Sequence, residues 1–119
     1  MKLTIQDAYD ITQGLKGLLD KELPTSVAFS IQRNFKKIGE EVGNANEVRN
    51  KLAKKYKEFT DDDGYFTDDK KKSEYNKELN ELMRQEIEVE LNILKLSDLG
   101  DYIKPRTLGL IEKIIEEDE

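Results

Sequence analysis

The stretch PTSVAFSIQRNFKKIGEEVGNANEVRNKLAKKYKEF, from Pro24 to Phe59, decides the fold. Its apolar residues are Val27, Ile31, Phe35, Ile38, Val42, Ala45, Leu52, Tyr56 and Phe59, and they recur at steps of three, four or seven. That rhythm keeps one face of a helix apolar for about ten turns. Water does not tolerate such a stripe on a helix of this length, so flanking segments or a second copy of the chain must cover it. Gly39, Gly43 and Asn44 are its weak point. A continuous or slightly bent helix is expected, with a break near Gly43 as the alternative.

Working back towards the first residue, Met1 to Glu22 reads as a helix. Thr4 suits the cap, Asp7 returns the bond from the third helical position, and Leu3 staples onto Ala8. Ala8, Ile11, Leu15, Leu18 and Leu19 form its apolar face. Gly14 and Gly17 each weaken a helix by about 1 kcal/mol relative to alanine. They make room for a close helix neighbour, the other reading being a hinge. Pro24 ends this element by pushing Leu23 out of the helical region, after which Thr25 or Ser26 caps the long helix.

Working forward, Thr60–Asp69 (TDDDGYFTDD) is a turn built on the Asp63-Gly64 pair. It does not spell a calcium loop. Aligning Gly64 with the invariant glycine puts Phe59 and Lys70 where the two essential ligands should stand. Asp69–Gln85, capped by Asp68 or Asp69, is a second amphipathic helix with Tyr75, Leu79, Leu82 and Met83 on one face. It folds back antiparallel on the long helix. From Glu86 to Ile93 the residues alternate polar and apolar, the signature of a strand. Its pairing candidates are Gly64–Thr67, residues 1–5 or another molecule, and a helix continuing through Leu96 is the alternative. Ser97-Asp98-Leu99-Gly100 is a short turn. Pro105 opens a last helix with Leu108, Ile111, Ile114 and Ile115 apolar, and the acidic tail Glu116–Glu119 frays its end. The expected architecture is one mainly α domain of 119 residues, an antiparallel helical hairpin on one long helix. Shorter N- and C-terminal helices flank it, with a small β element as a possible addition.

Composition excludes more than it names. The net charge of −6, from 26 acidic and 20 basic residues, argues against a general phosphate-binding surface. Lysines cluster at Lys51, Lys54, Lys55, Lys57 and Lys70–Lys72, but the neighbouring aspartates cancel their field, so no direct nucleic-acid binding is expected. There is no cysteine and no histidine, which removes disulfides, thiolate chemistry and the commonest general base and metal ligand. Carboxylates such as Glu40 and Glu41 sit beside no phosphate loop or nucleophile motif, and no catalytic residue, metal or cofactor is assigned. No stretch is apolar enough to span a membrane, and Asp7 and Asp10 interrupt any leader-like core, so the cytoplasm is the expected compartment.

The order of segments resembles a group of small proteins of unknown function encoded by tailed bacteriophages and prophages. The resemblance lies in LPTSVAFSIQRNFKKIGEE (Leu23–Glu41), EVRNKLAKKY (Glu47–Tyr56), the DDDG turn, YNKELNELMRQEIEVELNILKLSDL (Tyr75–Leu99) and IKPRTLGLIEKIIEE (Ile103–Glu117). The stretch Lys55–Thr60 departs from the group's pattern. What the resemblance implies is a non-enzymatic protein of the bacterial host's cytoplasm that docks onto a larger bacterial or phage protein. The target would be a host or defence complex, inhibited or triggered; the other version is an accessory or chaperone in virion assembly.

Two docking surfaces suggest themselves from the residues. One is the edge of the Glu86–Ile93 strand, with Glu88 and Glu90 on its outer face. The other is the turn, where Tyr65 and Phe66 stand beside Asp61, Asp62 and Asp63. The two rings are either exposed anchors or folded under the hairpin.

Overall fold

The computed structural model describes residues 1–100 and 102–117. Its axis is a helix, α2, from Thr25 to Lys55. At 1.5 Å per residue this helix is about 46 Å long, and the molecule measures 53 × 27 × 22 Å. The radius of gyration, 17.5 Å, exceeds the roughly 13.5 Å of a compact chain this size. The long helix therefore sets the shape.

The helix runs unbroken through Gly39 and Gly43, because the apolar stripe stays in phase and tertiary packing outweighs the glycines' low propensity. Val27, Ile31, Ile38 and Ala45 are buried, and Phe35 and Val42 pack half-buried beside them. Neither Thr25 nor Ser26 caps the helix. Pro24 holds that position, with backbone angles already extended, and no side chain takes part. The helix stops at Lys55, four residues short of the expected end, and Lys57–Phe59 tightens into a 3-10 turn.

Two shorter helices lie antiparallel along α2, one after the other. The first, α1, spans Ile5–Lys16 and opens with the expected capping box. The Asp7 amide donates to Thr4 Oγ1 (3.1 Å) and the Thr4 amide to Asp7 Oδ2 (2.9 Å). Burial works to raise the Asp7 carboxyl, but hydrogen bonds from Lys113 (2.8 Å) and Thr4 outweigh it and hold the group below the usual aspartate value. The expected helix over Met1–Glu22 is thus too long at both ends. Lys2–Thr4 is a strand, β1. Beyond Lys16 the chain tightens into turns through Gly17, leaving Leu18 buried but Leu19 exposed.

The second helix, α3, covers Asp69–Met83 and is capped by Asp68, whose side chain accepts from the Lys70 amide (2.9 Å). Its C-terminal end meets the start of α1, where the Ile5 amide donates to the Gln85 carbonyl (2.9 Å). α1 thereby covers the first part of the α2 stripe and α3 the last.

The alternating segment after α3 pairs with the N-terminal residues, one of the three expected partners. Strand β2, Glu86–Glu88, lies antiparallel to β1, with Leu3 opposite Ile87. Only three of the eight expected residues form the ladder. The Val89 amide still donates to the Met1 carbonyl (3.0 Å), but beyond it the backbone at Glu90 and Asn92 is tied to α2 instead. Asn34, fully buried on the stripe, donates from Nδ2 to the Asn92 carbonyl (2.8 Å) and accepts the Asn92 amide on Oδ1 (2.7 Å). An amide side chain thus replaces a neighbouring strand. Lys37 Nζ adds a bond to the Glu90 carbonyl (3.1 Å).

The C-terminal part differs most from expectation. The last helix, α4, is only Pro105–Leu110. A 3-10 turn follows, and Ile115–Glu116 pairs as a strand, β4, in parallel with β3, Leu94–Lys95. Glu116 therefore ends a strand and not a helix; the expected fraying of Asp118 and Glu119 lies outside the described residues. α4 crosses α1 at Gly14. A Cβ built there would collide with Ile111 Cγ2 and crowd Leu110, and one at Gly17 would press on Thr107. The close-approach reading of these glycines holds.

The main core joins Leu3, Ile11, Leu15, Ile31, Ile38, Leu94, Leu99, Ile111 and Ile114. This cluster, built from α1, the first two thirds of α2, the 3-10 turn that follows α4 and both small sheets, is the head. The rest of α2, the turn and most of α3 form an arm.

Candidate functional site

The arm ends in the Thr60–Asp68 loop, and Asp61 organises it. Its Oδ1 accepts the amides of Asp63 and Tyr65, both at 2.9 Å. Its own amide donates to the Tyr65 carbonyl (2.8 Å), and the Gly64 amide donates to its carbonyl (3.0 Å). Gly64 takes a φ of 87°, a value other residues reach only with strain. A single bridge, Thr60 to Phe66, closes the loop, and the Thr67 amide reaches the Phe59 carbonyl (2.9 Å). The expected Asp-Gly turn is present, but Gly64–Thr67 pairs with Thr60 and not with the Glu86 strand. Asp61 spends its carboxylate on backbone amides. Among the described residues, no group of three or more acidic side chains converges as a metal would require.

This locked loop separates two adjacent rings that sequence reasoning took together. Phe66 turns inward and is half-buried, 6.4 Å from Tyr56 and 5.4 Å from Tyr75 between ring centres. Tyr56 and Tyr75 meet edge to face at 5.7 Å, and Phe59 completes the cluster 6.3 Å from Tyr56. Such pairs attract through their ring quadrupoles. Tyr65 points outward and is 73% exposed. Asp61, Asp62 and Asp63 are exposed around it.

Beneath the cluster, Glu78 bridges the two helices of the arm. Its Oε1 accepts from Lys55 Nζ (2.9 Å), while Oε2 is buried with no partner of good hydrogen-bond geometry. The Tyr56 hydroxyl nevertheless lies close enough to act on it. Interaction with the Glu78 carboxylate pushes the buried Tyr56 phenol up to about 12, with burial adding to the effect. In return Tyr56 and Lys55 hold the Glu78 carboxyl below its usual value.

Between the aromatic cluster and the last turn of α2 lies an open groove of about 410 Å³. Its floor is Tyr56, Phe66 and Tyr75, with Ala53 at one wall and Lys54 and Lys57 at the rim. Sequence reasoning missed it. Tyr56 and Tyr75 are legible as seam residues, but the groove exists only because the loop folds Phe66 back beside them.

Glu88 and Glu90 sit elsewhere. Both are exposed on the outer side of the extended segment while Ile87, Val89 and Leu91 pack against the core. That facing was expected. They follow the opposite end of α3, so about 22 Å of helix separates them from the loop. The two candidate surfaces are not one site. The free edge is also shorter than expected, since the backbone at Glu90 and Asn92 is already bonded to α2. The stripe that could have recruited a second copy is covered from within the chain, by α1 and α3. No described helix is long and apolar enough to cross a membrane.

Comparison with protein-family models, with curated proteins and with solved structures finds no match.

Proposed function

We propose that this chain is a non-enzymatic, phage-encoded binding module that works in the bacterial cytoplasm. It docks through the tip of its arm onto a larger protein, a host or defence complex that it inhibits or triggers. The observation that carries this reading is Tyr65. A large aromatic side chain stands 73% exposed at the end of a protruding hairpin, on a loop whose backbone Asp61 has fixed in advance. Exposed aromatics held rigidly suit the centre of a protein interface, because little ordering entropy remains to be lost on binding. The phage origin rests on the resemblance of the sequence segments. The non-enzymatic reading rests on a chain with neither histidine nor cysteine.

The test is an affinity capture from uninfected and phage-infected bacterial lysates with tagged wild-type protein and its Tyr65→Ala variant. The reading expects a host or defence protein recovered from uninfected cells by the wild type and at least tenfold less by the variant. Equal recovery by both forms overturns the role of the tip. Recovery of virion proteins alone, and only after infection, replaces the reading with virion assembly.

A further inference from the structure

The geometry points to a specific kind of ligand for the arm-tip groove: a peptide segment of the partner that inserts an aromatic side chain and carries a carboxylate beside it. This rests on the docking reading above and names the chemistry of its partner. The floor of Tyr56, Phe66 and Tyr75 offers ring faces and edges in several directions. The volume, about 410 Å³, is in the range of ligand-sized sites. An inserted aromatic ring gains there both burial and edge-to-face contact. Gly64 places no side chain over the mouth, so a peptide backbone can pass across it.

Charge selects the flanking residue. The groove's lining contains two lysines and no acidic residue. The neighbouring cations are already occupied, Lys55 by Glu78 (2.9 Å) and Lys71 by Glu74 (3.3 Å). Lys54 and Lys57 form no ion pair and no side-chain hydrogen bond with any described residue, although Glu58, Asp61 and Asp62 line the depression on their other flank. Two free ammonium groups beside an aromatic floor complement a carboxylate next to a ring. A basic or purely apolar segment would leave them unanswered.

Three short fluorescent peptides test this by anisotropy: one with tryptophan between two glutamates, one with both glutamates changed to glutamine, and one with the tryptophan changed to alanine. The acidic tryptophan peptide is expected to bind roughly three- to tenfold more tightly than the glutamine form, the effect of two exposed ion pairs, and to lose that preference in high salt. The alanine form should show no saturable binding. The variant Lys54→Gln/Lys57→Gln alters only exposed side chains, and unchanged circular dichroism would confirm its fold. It should bind the two tryptophan peptides equally. Equal affinity of wild type for both tryptophan peptides, a preference that survives in the variant, or no saturable binding at all overturns the inference. The docking reading is judged separately. If lysate capture depends on Tyr65 while the peptides do not discriminate, docking stands and this ligand falls.

Discussion

The head and the arm use the same long helix and stabilise it in different ways. In the head, α2 meets α1 and the 89–93 segment, α4 packs on the far side of α1 at Gly14, and Ile11, Leu15, Ile31, Ile38, Leu99, Ile111 and Ile114 are essentially sealed from water. In the arm, α2 meets one helix, and no residue of α3 is fully buried. Tyr56 alone is buried there, within a cluster of half-covered rings and beside the Glu78–Lys55 bridge. Aliphatic close packing makes the head cooperative and sensitive to lost volume. Ring pairs and a partly exposed ion pair contribute less per residue, and they leave a groove. The region most suited to display a ligand-binding surface is the one with least core.

The sharpest way to break this comparison is to empty the head. Ile38→Ala should destabilise the protein by roughly 2–5 kcal/mol in chemical denaturation, as buried isoleucine truncations do. Next comes the arm itself. Phe66→Ala should cost about 1–3 kcal/mol and abolish groove binding, whereas Tyr65→Ala at the neighbouring position should stay within about 0.5 kcal/mol of wild type. Equal losses at the two positions would mean that the loop does not divide them.

Titration probes the same region. The Tyr56 phenol is raised in the folded arm to about 12, so folding favours its protonated form. Its contribution is complete below about pH 10, the value of a free tyrosine, and disappears as the pH rises through 12. Glu78 and Asp7 are lowered, so their contributions are present above the usual carboxylate range and fade as the pH falls through it. Alkaline unfolding followed by tyrosine absorbance should begin in the arm, and Tyr56→Phe should remove that alkaline step. The smallest expected effect is a gain. A Cβ at Gly39 or Gly43 meets nothing within 4 Å, so alanine at each should stabilise α2 by roughly 0.4–1 kcal/mol, read as a higher melting temperature.

How much of this was legible depended on whether a pattern had one structural meaning. Nine stripe positions over ten turns admit only a helix, and the existence and start of α2 were readable, though it stops at Lys55, four residues short of the expected end. The capping box at Thr4 and Asp7 was equally plain, since each side chain has one local use. The Glu86–Ile93 alternation correctly gave Ile87, Val89 and Leu91 as core-facing, but it failed at Ile93, which is exposed, and it did not show where the ladder ends. That depends on Asn34, fifty-eight residues from Asn92 in sequence, taking over the pairing. Leu108, Ile111, Ile114 and Ile115 fit a helix and equally fit what occurs, a short helix running into a strand. Contact with Leu94 and Lys95 decides it. An asparagine among apolar stripe residues was the one visible hint of a buried clamp. The groove left no such hint, because neighbouring residues Tyr65 and Phe66 point opposite ways only after Asp61 has fixed the loop.

Native-state hydrogen exchange, resolved by residue, tests the division between head and arm most directly. Amides of α3 and of α2 beyond Asn46 should exchange through an opening of lower free energy than the amides of α1 and of α2 from Val27 to Ala45, which should require global unfolding. Uniform protection along the whole of α2 and α3 would contradict the account, since head and arm would then be one cooperative unit.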